Sequence, residues 1–215
     1  MSVSSVETEK LNDILLNGCE KLQLTVSPTQ AQQLVNYVLN MHKWNKAYNL
    51  TSVRAPEQMM VKHILDSLAV TTAITANKVI DVGTGPGLPG IPLAIMHPTV
   101  SFTLLDSLGK RVRFMKQCAY ELGLPNVDPI HSRVEEHIPE CPYDIVLSRA
   151  FASLKDMLHW CQHLVDSSGV FLALKGQFPQ SEIDEVSDHF QIESVSELKV
   201  PDLIGERHLV TIRKV

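Results

Sequence analysis

The sequence predicts an α/β protein with a seven-stranded, mostly parallel sheet, helices on both faces, and a preceding N-terminal helical segment. From about Lys78 onward, short apolar runs alternate with segments of helical periodicity, a pattern typical of parallel sheets. The last two apolar runs have no helix between them, which predicts a reversed final strand in an antiparallel hairpin. We therefore expect residues 1–75 to form the helical segment, packed on the core, and residues 76–215 to form the sheet domain.

Helical signals occur in three places before the sheet domain. Apolar side chains recur at helical spacing between Leu11 and Leu22, which predicts a first helix. A second helix is predicted to begin after Ser27, an N-cap residue followed by proline and then by Gln30, which can close a capping box. Pro56 is predicted to open a third helix.

The sheet domain is expected to alternate strands and helices in sequence order. Strands are predicted at Val79–Val82, Ser101–Leu105, Val127–Ile130, Asp144–Leu147, Val170–Leu174, Gln191–Leu198 and Leu209–Arg213. Helices are predicted near Ile91–Met96, Lys110–Leu122, Leu154–Val165 and Ser181–Val186.

The composition argues against several classes of protein. A formal net charge of -5 makes uniform attraction to nucleic acid improbable, so any such contact needs a local basic patch. Four scattered cysteines without a CxxC pair predict reduced thiols and no zinc site, and the pair His159 and His163 lacks a further ligand. No apolar run is long enough for a membrane helix. We expect a cytoplasmic, metal-free monomer.

The most informative run is the stretch from Val79 to Gly90, in which an apolar strand leads into an acid and then into glycines. Glycine is needed where the backbone turns sharply and lies against a ligand. Asp106, at the end of the next predicted strand, is placed to accept hydrogen bonds from ribose hydroxyls. This pattern predicts a site for an adenosine-containing cofactor that includes Asp81, Gly83, Gly85 and Asp106.

Two cofactors are consistent with these glycines. Residues 85–90 satisfy GxGxxG, so a nicotinamide-dependent oxidoreductase is one alternative. S-adenosylmethionine is favoured because the glycines begin at Gly83, just after Asp81, an acid suited to the amino or sulfonium end of that molecule. Prolines within the loop also remove N–H donors that a pyrophosphate needs, and a long helical segment precedes the loop. The favoured fold is therefore a Rossmann-like class I methyltransferase sheet.

The ends of the third and fourth strands supply further candidates. Val134 and Glu135 follow the third strand, where a backbone or acidic group can face an adenine. Arg149 follows the fourth strand, where enzymes that methylate exocyclic amines carry Asn or Asp before Pro-Pro. Its guanidinium is suited to clamp the carboxylate of the methionine moiety or a substrate phosphate.

Several motifs occur together and in order, and jointly they resemble the bacterial 16S ribosomal RNA small-subunit methyltransferase G family, also called glucose-inhibited division protein B. They are residues 43–51, 63–67, 81–92, 105–111, 148–151, 175–176 and 205–208. The resemblance runs from about residue 10 to the end. It implies S-adenosylmethionine-dependent methylation of guanine N7 at position 527, in the 530 loop of 16S rRNA, within the small subunit or an assembly intermediate. By motif, the implied cofactor contacts are Gly83, Leu88, Val134, Glu135 and Arg149.

Guanine N7 carries a free lone pair at neutral pH, so this reaction requires no general base and we expect no catalytic acid–base residue. Residues at loop or element ends that are candidates to hold the guanine, or to be structural hydrogen-bonding groups, are Asn49, His63, Asp66, Lys175 and Arg207. Candidate RNA-binding cations are Lys110, Arg111, Arg113 and Lys116 in one helix, with Lys43, Lys46, Arg54 and Lys62 as a second patch. Trp44 and Tyr48 are spaced either for base stacking or for core packing.

Overall fold

The computed structural model describes residues 5–215 and contains a single seven-stranded sheet within that range. The strands lie in the order β3-β2-β1-β4-β5-β7-β6. They are β1 (Lys78–Val82), β2 (Ser101–Asp106), β3 (Val127–His131), β4 (Ile145–Ser148), β5 (Val170–Lys175), β6 (Phe190–Glu197) and β7 (His208–Lys214). Strands β1 to β5 are parallel, and β7 runs antiparallel to both β5 and β6. The predicted reversed hairpin is confirmed.

The helices are α1 (Ser5–Lys21), α2 (Pro28–Tyr48), α3 (Pro56–Met59), α4 (Asp66–Leu68), α5 (Gly90–Met96), α6 (Gly109–Leu122), α7 (Leu154–Cys161) and α8 (Gln180–Ile183). The two C-terminal helices are shorter than predicted. After α7 the chain continues as a 3-10 turn, Gln162–Leu164, and α8 is a single turn.

The N-terminal segment begins its second helix as the sequence predicts. The Ser27 side chain accepts a hydrogen bond from the Gln30 amide, and the Gln30 side chain accepts one from the Ser27 amide, which completes a capping box. The third helix begins at Pro56 but continues as a π-helix, Met60–Leu65, before α4. That change of helical type was not predicted, and π-helical turns are frequent at functional sites.

Two hydrophobic clusters cover the two faces of the sheet. One joins the N-terminal helices with α5, α6 and one face of the strands, and it includes Leu34, Ile64 and Phe102. The other places α7 against the opposite face, around Phe171. The first cluster crosses the expected boundary at residue 75 without a break, so the N-terminal helices share the core of the sheet. The division of the chain into two parts stays a prediction.

Candidate functional site

The glycine loop between β1 and α5 has a backbone conformation that L side chains rarely adopt. Gly83, Gly85 and Gly87 have φ values of 68°, 65° and 102°. A Cβ on Gly83 would lie 2.6 Å from the Cβ of Ala150, in the loop after β4. A Cβ on Gly90 would meet the Leu104 side chain and lie 2.9 Å from a carboxylate oxygen of Asp81. The glycines therefore allow this loop to lie close to its neighbours.

Asp81 stabilises the glycine loop through hydrogen bonds. Its Oδ2 accepts hydrogen bonds from the Thr84 hydroxyl at 2.6 Å and from the Gly90 amide at 2.8 Å. The side chain is fully buried and lines neither of the two cavities described below, so the predicted contact with a cofactor stays a prediction. Burial raises the pKa of Asp81 to about 7, and the bonds from Thr84 and Gly90 act in the opposite direction. The other oxygen, Oδ1, has no hydrogen-bond partner within residues 5–215, which costs less when the carboxyl is neutral.

This burial predicts a pH-dependent stability that Asp81→Asn removes. Between the ordinary pKa of 3.8 and the raised value of about 7, the folded protein holds a proton that the unfolded chain has lost. The free energy of unfolding of the wild type therefore falls as pH rises through that window. Relative to wild type, we expect the free energy of unfolding of Asp81→Asn to increase by on the order of 2 kcal/mol between pH 5 and pH 8. Urea unfolding at several pH values measures this difference, and Asp188→Asn, an exposed aspartate, is the control expected to show no such trend.

Asp106 joins the end of β2 to the glycine loop. Its Oδ2 accepts hydrogen bonds from the Gly85 amide at 2.9 Å and from Arg111 Nη1 at 3.2 Å, while Oδ1 accepts one from the Leu108 amide at 2.9 Å. Arg111, a candidate for contact with RNA, is thus directed toward Asp106 and the glycine loop.

A cavity of about 260 Å³ opens at the carboxyl ends of β1, β2 and β3. Among the predicted cofactor residues, Gly83, Asp106, Val134 and Glu135 line it, together with Arg111. Gly85 and Leu88 do not line it; Gly85 touches the site through Asp106, and Leu88 is buried in the core. Such a crevice beside the ends of parallel strands is where open α/β sheets bind ligands.

A second cavity of about 580 Å³ lies next to the first. It is lined by Arg149 and by four of the residues that are candidates to hold the guanine, His63, Asp66, Lys175 and Arg207. The loop after β4 forms a shared wall, because Arg149 lines the larger cavity while Ala150 and Phe151 line the smaller one. The fold therefore places a smaller cavity at the glycine loop beside a larger one lined by basic side chains.

Two titratable groups of the larger cavity, His63 and Lys175, contact other protein groups. His63, in the π-helix, lies 2.8 Å from the Thr51 hydroxyl through Nε2 and 3.1 Å from the Lys62 carbonyl oxygen through Nδ1. Burial lowers the pKa of His63 to about 4, with the Arg149 charge acting in the same direction, so the ring is neutral at physiological pH. Lys175 donates to Glu182 at 2.7 Å.

Asp66 connects the two arginines of the larger cavity. Its Oδ2 lies 3.0 Å from Arg149 Nη1, and its Oδ1 lies 2.8 Å from Arg207 Nε. The carboxylate is nearly inaccessible, with a side-chain exposure of 4%, while the two guanidinium side chains are about 30% exposed. Arg149 thus contacts a carboxylate of the protein itself, in addition to whatever ligand it meets.

Several other candidates lie outside both cavities, whereas Lys62 lines the larger one. Asn49 ends α2 in the left-handed conformation and accepts a hydrogen bond from Arg54 at 2.9 Å. Lys110 donates to the Tyr48 carbonyl oxygen at 2.9 Å. Trp44 stacks on Tyr48 with ring centroids 5.1 Å apart and lies 5.6 Å from Phe114, which supports the core-packing alternative.

Tyr37 is a residue whose role the sequence did not reveal. It lies on the buried face of α2, and its hydroxyl donates a hydrogen bond to the Pro86 carbonyl oxygen of the glycine loop at 2.8 Å. In the sequence it is one apolar-face residue among many, so no pattern distinguishes it from core packing. Through this contact the N-terminal helices support the glycine loop.

We expect Tyr37→Phe to weaken the loop without changing the core volume greatly. It leaves the buried Pro86 carbonyl without its donor, which costs about 1–2 kcal/mol of unfolding free energy. Calorimetric titration with S-adenosylhomocysteine should show a several-fold loss of affinity. Tyr120→Phe removes a hydroxyl that is exposed, and it should leave both quantities unchanged. Equal behaviour of the two variants would contradict a bracing role for Tyr37.

Within residues 5–215 no group of three His, Cys, Asp or Glu side chains is arranged to hold a metal ion. In the same range, no helix combines the length and hydropathy needed to cross a membrane.

Comparison with known proteins decides the family. The family model described as rRNA small subunit methyltransferase G matches residues 30–210. The chain belongs to this family. It is 68% identical over 206 residues to the ribosomal RNA small subunit methyltransferase G of Alteromonas mediterranea, covering 96% of this chain and 98% of that one. The corresponding protein of Vibrio atlanticus is 58% identical over 207 residues, covering 96% and 97%. Family membership identifies the chain as a methyltransferase and disfavours the oxidoreductase alternative.

Solved structures resemble this methyltransferase in fold. The mitomycin 7-O-methyltransferase MmcR aligns with a TM-score of 0.60 at 14% identity, covering 88% of this chain and 69% of that one. TrmN from Thermus thermophilus aligns with a TM-score of 0.57 at 16% identity, covering 81% and 53%. The predicted Rossmann-like methyltransferase sheet is confirmed.

Proposed function

We propose that this methyltransferase transfers a methyl group from S-adenosylmethionine to N7 of guanine 527 in the 530 loop of 16S rRNA. The observation that carries the proposal is the pair of adjoining cavities, one at the glycine loop and one basic, in a member of the rRNA small subunit methyltransferase G family. The substrate is the small ribosomal subunit or one of its assembly intermediates. Both cavities are formed within one chain, which supports a monomer, and a ribosomal substrate assigns the activity to the cytoplasm.

The smaller cavity suits the adenosine part of the cofactor. Gly83 leaves open the space beside Ala150 that a side chain would fill. Asp106 offers carboxylate lone pairs at the cavity wall for ribose hydroxyls, and Val134 and Glu135 present a backbone edge and an acid where an adenine amine would lie. When bound, S-adenosylmethionine supplies an electrophilic methyl group, and the electron pair of the broken C–S bond stays on sulfur.

The larger cavity suits a nucleophile that has no proton to lose. The guanine N7 lone pair forms the new N–C bond, and the base acquires one positive charge. His63 has both ring nitrogens engaged, both oxygens of Asp66 contact arginines, and Lys175 is paired with Glu182. None of these groups is free to act as a general base, which agrees with a reaction that needs only positioning. Alignment of the reacting atoms can by itself account for about 7–11 kcal/mol of barrier reduction.

The test uses small subunits from cells that lack this methylation. The protein is incubated with methyl-labelled S-adenosylmethionine and these subunits, and the label is mapped on the RNA. We expect one label, at N7 of a guanine in the 530 loop. Label at another base or on a ribosomal protein would overturn the proposed target. Binding of NAD in place of S-adenosylhomocysteine would overturn the proposal that S-adenosylmethionine is the cofactor.

A further inference from the structure

Asp66 contacts two arginines that come from two distant parts of the chain. It lies in α4 of the N-terminal segment, 83 residues from Arg149 and 141 residues from Arg207, and it contacts both. Arg149 belongs to the loop after β4, and Arg207 directly precedes β7. A single buried carboxylate therefore fixes two guanidiniums at the wall of one cavity.

Each arginine keeps donors that this contact does not use. Arg149 reaches Asp66 through Nη1, and Arg207 reaches it through Nε while its Nη1 donates to the Glu206 carbonyl oxygen at 2.7 Å. Within residues 5–215, Nη2 of Arg149 and Nη2 of Arg207 have no protein partner. These are the donors available to a base or phosphate that enters the cavity, because guanidinium N–H groups are suited to guanine O6 and to phosphate oxygens.

The carboxylate of Asp66 offsets part of the positive charge of the larger cavity. The two guanidiniums and Asp66 together carry one positive charge, and Lys62 adds another at the same cavity. A guanine that is being methylated at N7 becomes positive, so each uncompensated cation nearby opposes the transition state. Without Asp66 the group would carry one more positive charge and its guanidiniums would lack their common anchor.

We propose that Asp66 is a positioning residue of methyl transfer. It orients Arg149 and Arg207 toward the entering guanine nucleotide, and it cancels one of the two charges that oppose N7 methylation. The inference rests on the proposed function, and it assigns to a residue of the N-terminal segment a part in the catalytic step.

The experiment is a double-mutant cycle on labelled-methyl transfer to small subunits. Asp66→Asn should lower kcat on the order of 10–100-fold while the affinity for S-adenosylhomocysteine changes less than about twofold. If Asp66 acts through the arginines, the same change made in an Arg207→Gln background should lower kcat by a smaller factor than in the wild type, because only the Arg149 contact is then left to lose. Fold-changes that multiply would overturn the proposal, because an independent structural role gives additive free energies. So would a kcat for Asp66→Asn within about threefold of wild type.

Two further variants keep the test interpretable. Glu193 forms another carboxylate–arginine contact, at 2.6 Å from Arg213 on the β6–β7 hairpin. Glu193→Gln removes the charge of that carboxylate and should leave kcat unchanged. Asp66→Glu keeps the charge but lengthens the arm, so kcat should fall while the protein remains folded. If Asp66→Asn does not fold, this variant decides: an unchanged kcat for Asp66→Glu overturns the proposal. Failure of the proposed function is distinct, since the wild type itself would then transfer no methyl group to the subunits.

Discussion

Gly83→Ala is expected to lower the affinity for S-adenosylhomocysteine by on the order of 100-fold. The residue has φ 68°, and left-handed backbone costs an alanine about 1–2 kcal/mol. The new Cβ would also lie 2.6 Å from the Ala150 Cβ, closer than two carbons can approach. Because Ala150 belongs to the wall shared by the two cavities, the loop after β4 has to move, and with it Arg149 and Phe151.

The neighbouring glycine provides a matched control for this prediction. Gly85 has φ 65° and nothing within 4 Å of the position of a Cβ, so Gly85→Ala carries the same backbone strain without the contact. We expect Gly85→Ala to cost stability and to lower affinity much less. Combining Gly83→Ala with Ala150→Gly removes the contact and should restore most of the affinity. Isothermal titration with S-adenosylhomocysteine measures all four proteins, and equal losses for the two single glycine variants would refute the steric explanation.

The sequence predicted the sheet well because its signals are local. Each strand is a short apolar run between turns, and every predicted strand lies within one residue of the observed one at each end. The helix after Pro56 was predicted to begin correctly, but its π-helical continuation was not. Nothing in the spacing of apolar residues marks an extra residue per turn, since that geometry depends on the groups packed around it.

Four of the predicted site residues lie together because their positions near strand ends decide where they meet, and their binding of a cofactor stays a prediction. Gly83, Asp106, Val134 and Glu135 meet at one cavity because the carboxyl ends of parallel strands share an edge of the sheet. Which partner each charged side chain selects could not be predicted, since those partners come from distant segments. Asp66 is an example, because its arginines lie 83 and 141 residues away in the chain.

The cations of α6 also differ in their partners in a way that their spacing did not predict. In α6, Arg111 turns inward to Asp106, whereas Lys110, Arg113 and Lys116 are exposed. The helix packs antiparallel to α2: Gln33 donates to the Leu122 carbonyl oxygen at 2.8 Å, and Lys110 donates to that of Tyr48. This packing adds the exposed Lys43 and Lys46 to the same side of the molecule. Within the described part of the chain none of these five cations forms an ion pair. We call this set the α2–α6 basic surface.

Replacing two cations of the α2–α6 basic surface should weaken binding of the RNA substrate without changing the cofactor site. Arg113→Gln combined with Lys116→Gln is expected to raise KM for small subunits by about tenfold at moderate salt, since each lost phosphate contact also releases one counterion fewer. The slope of log affinity against log salt should decrease in magnitude by about 1.5 to 2. The affinity for S-adenosylhomocysteine and kcat at saturating subunits should stay close to the wild-type values.

The control for this prediction changes the same net charge on the other face of the sheet. Lys155 lies in α7 and Lys214 ends β7, and both elements belong to the cluster opposite α6. Lys155→Gln combined with Lys214→Gln therefore tests whether a general loss of positive charge is sufficient. If the RNA meets the α2–α6 basic surface, only the first pair alters the salt slope. Equal increases in KM for both pairs would mean that long-range attraction acts over the whole molecule. An unchanged salt slope for the first pair would mean that the RNA binds a different surface.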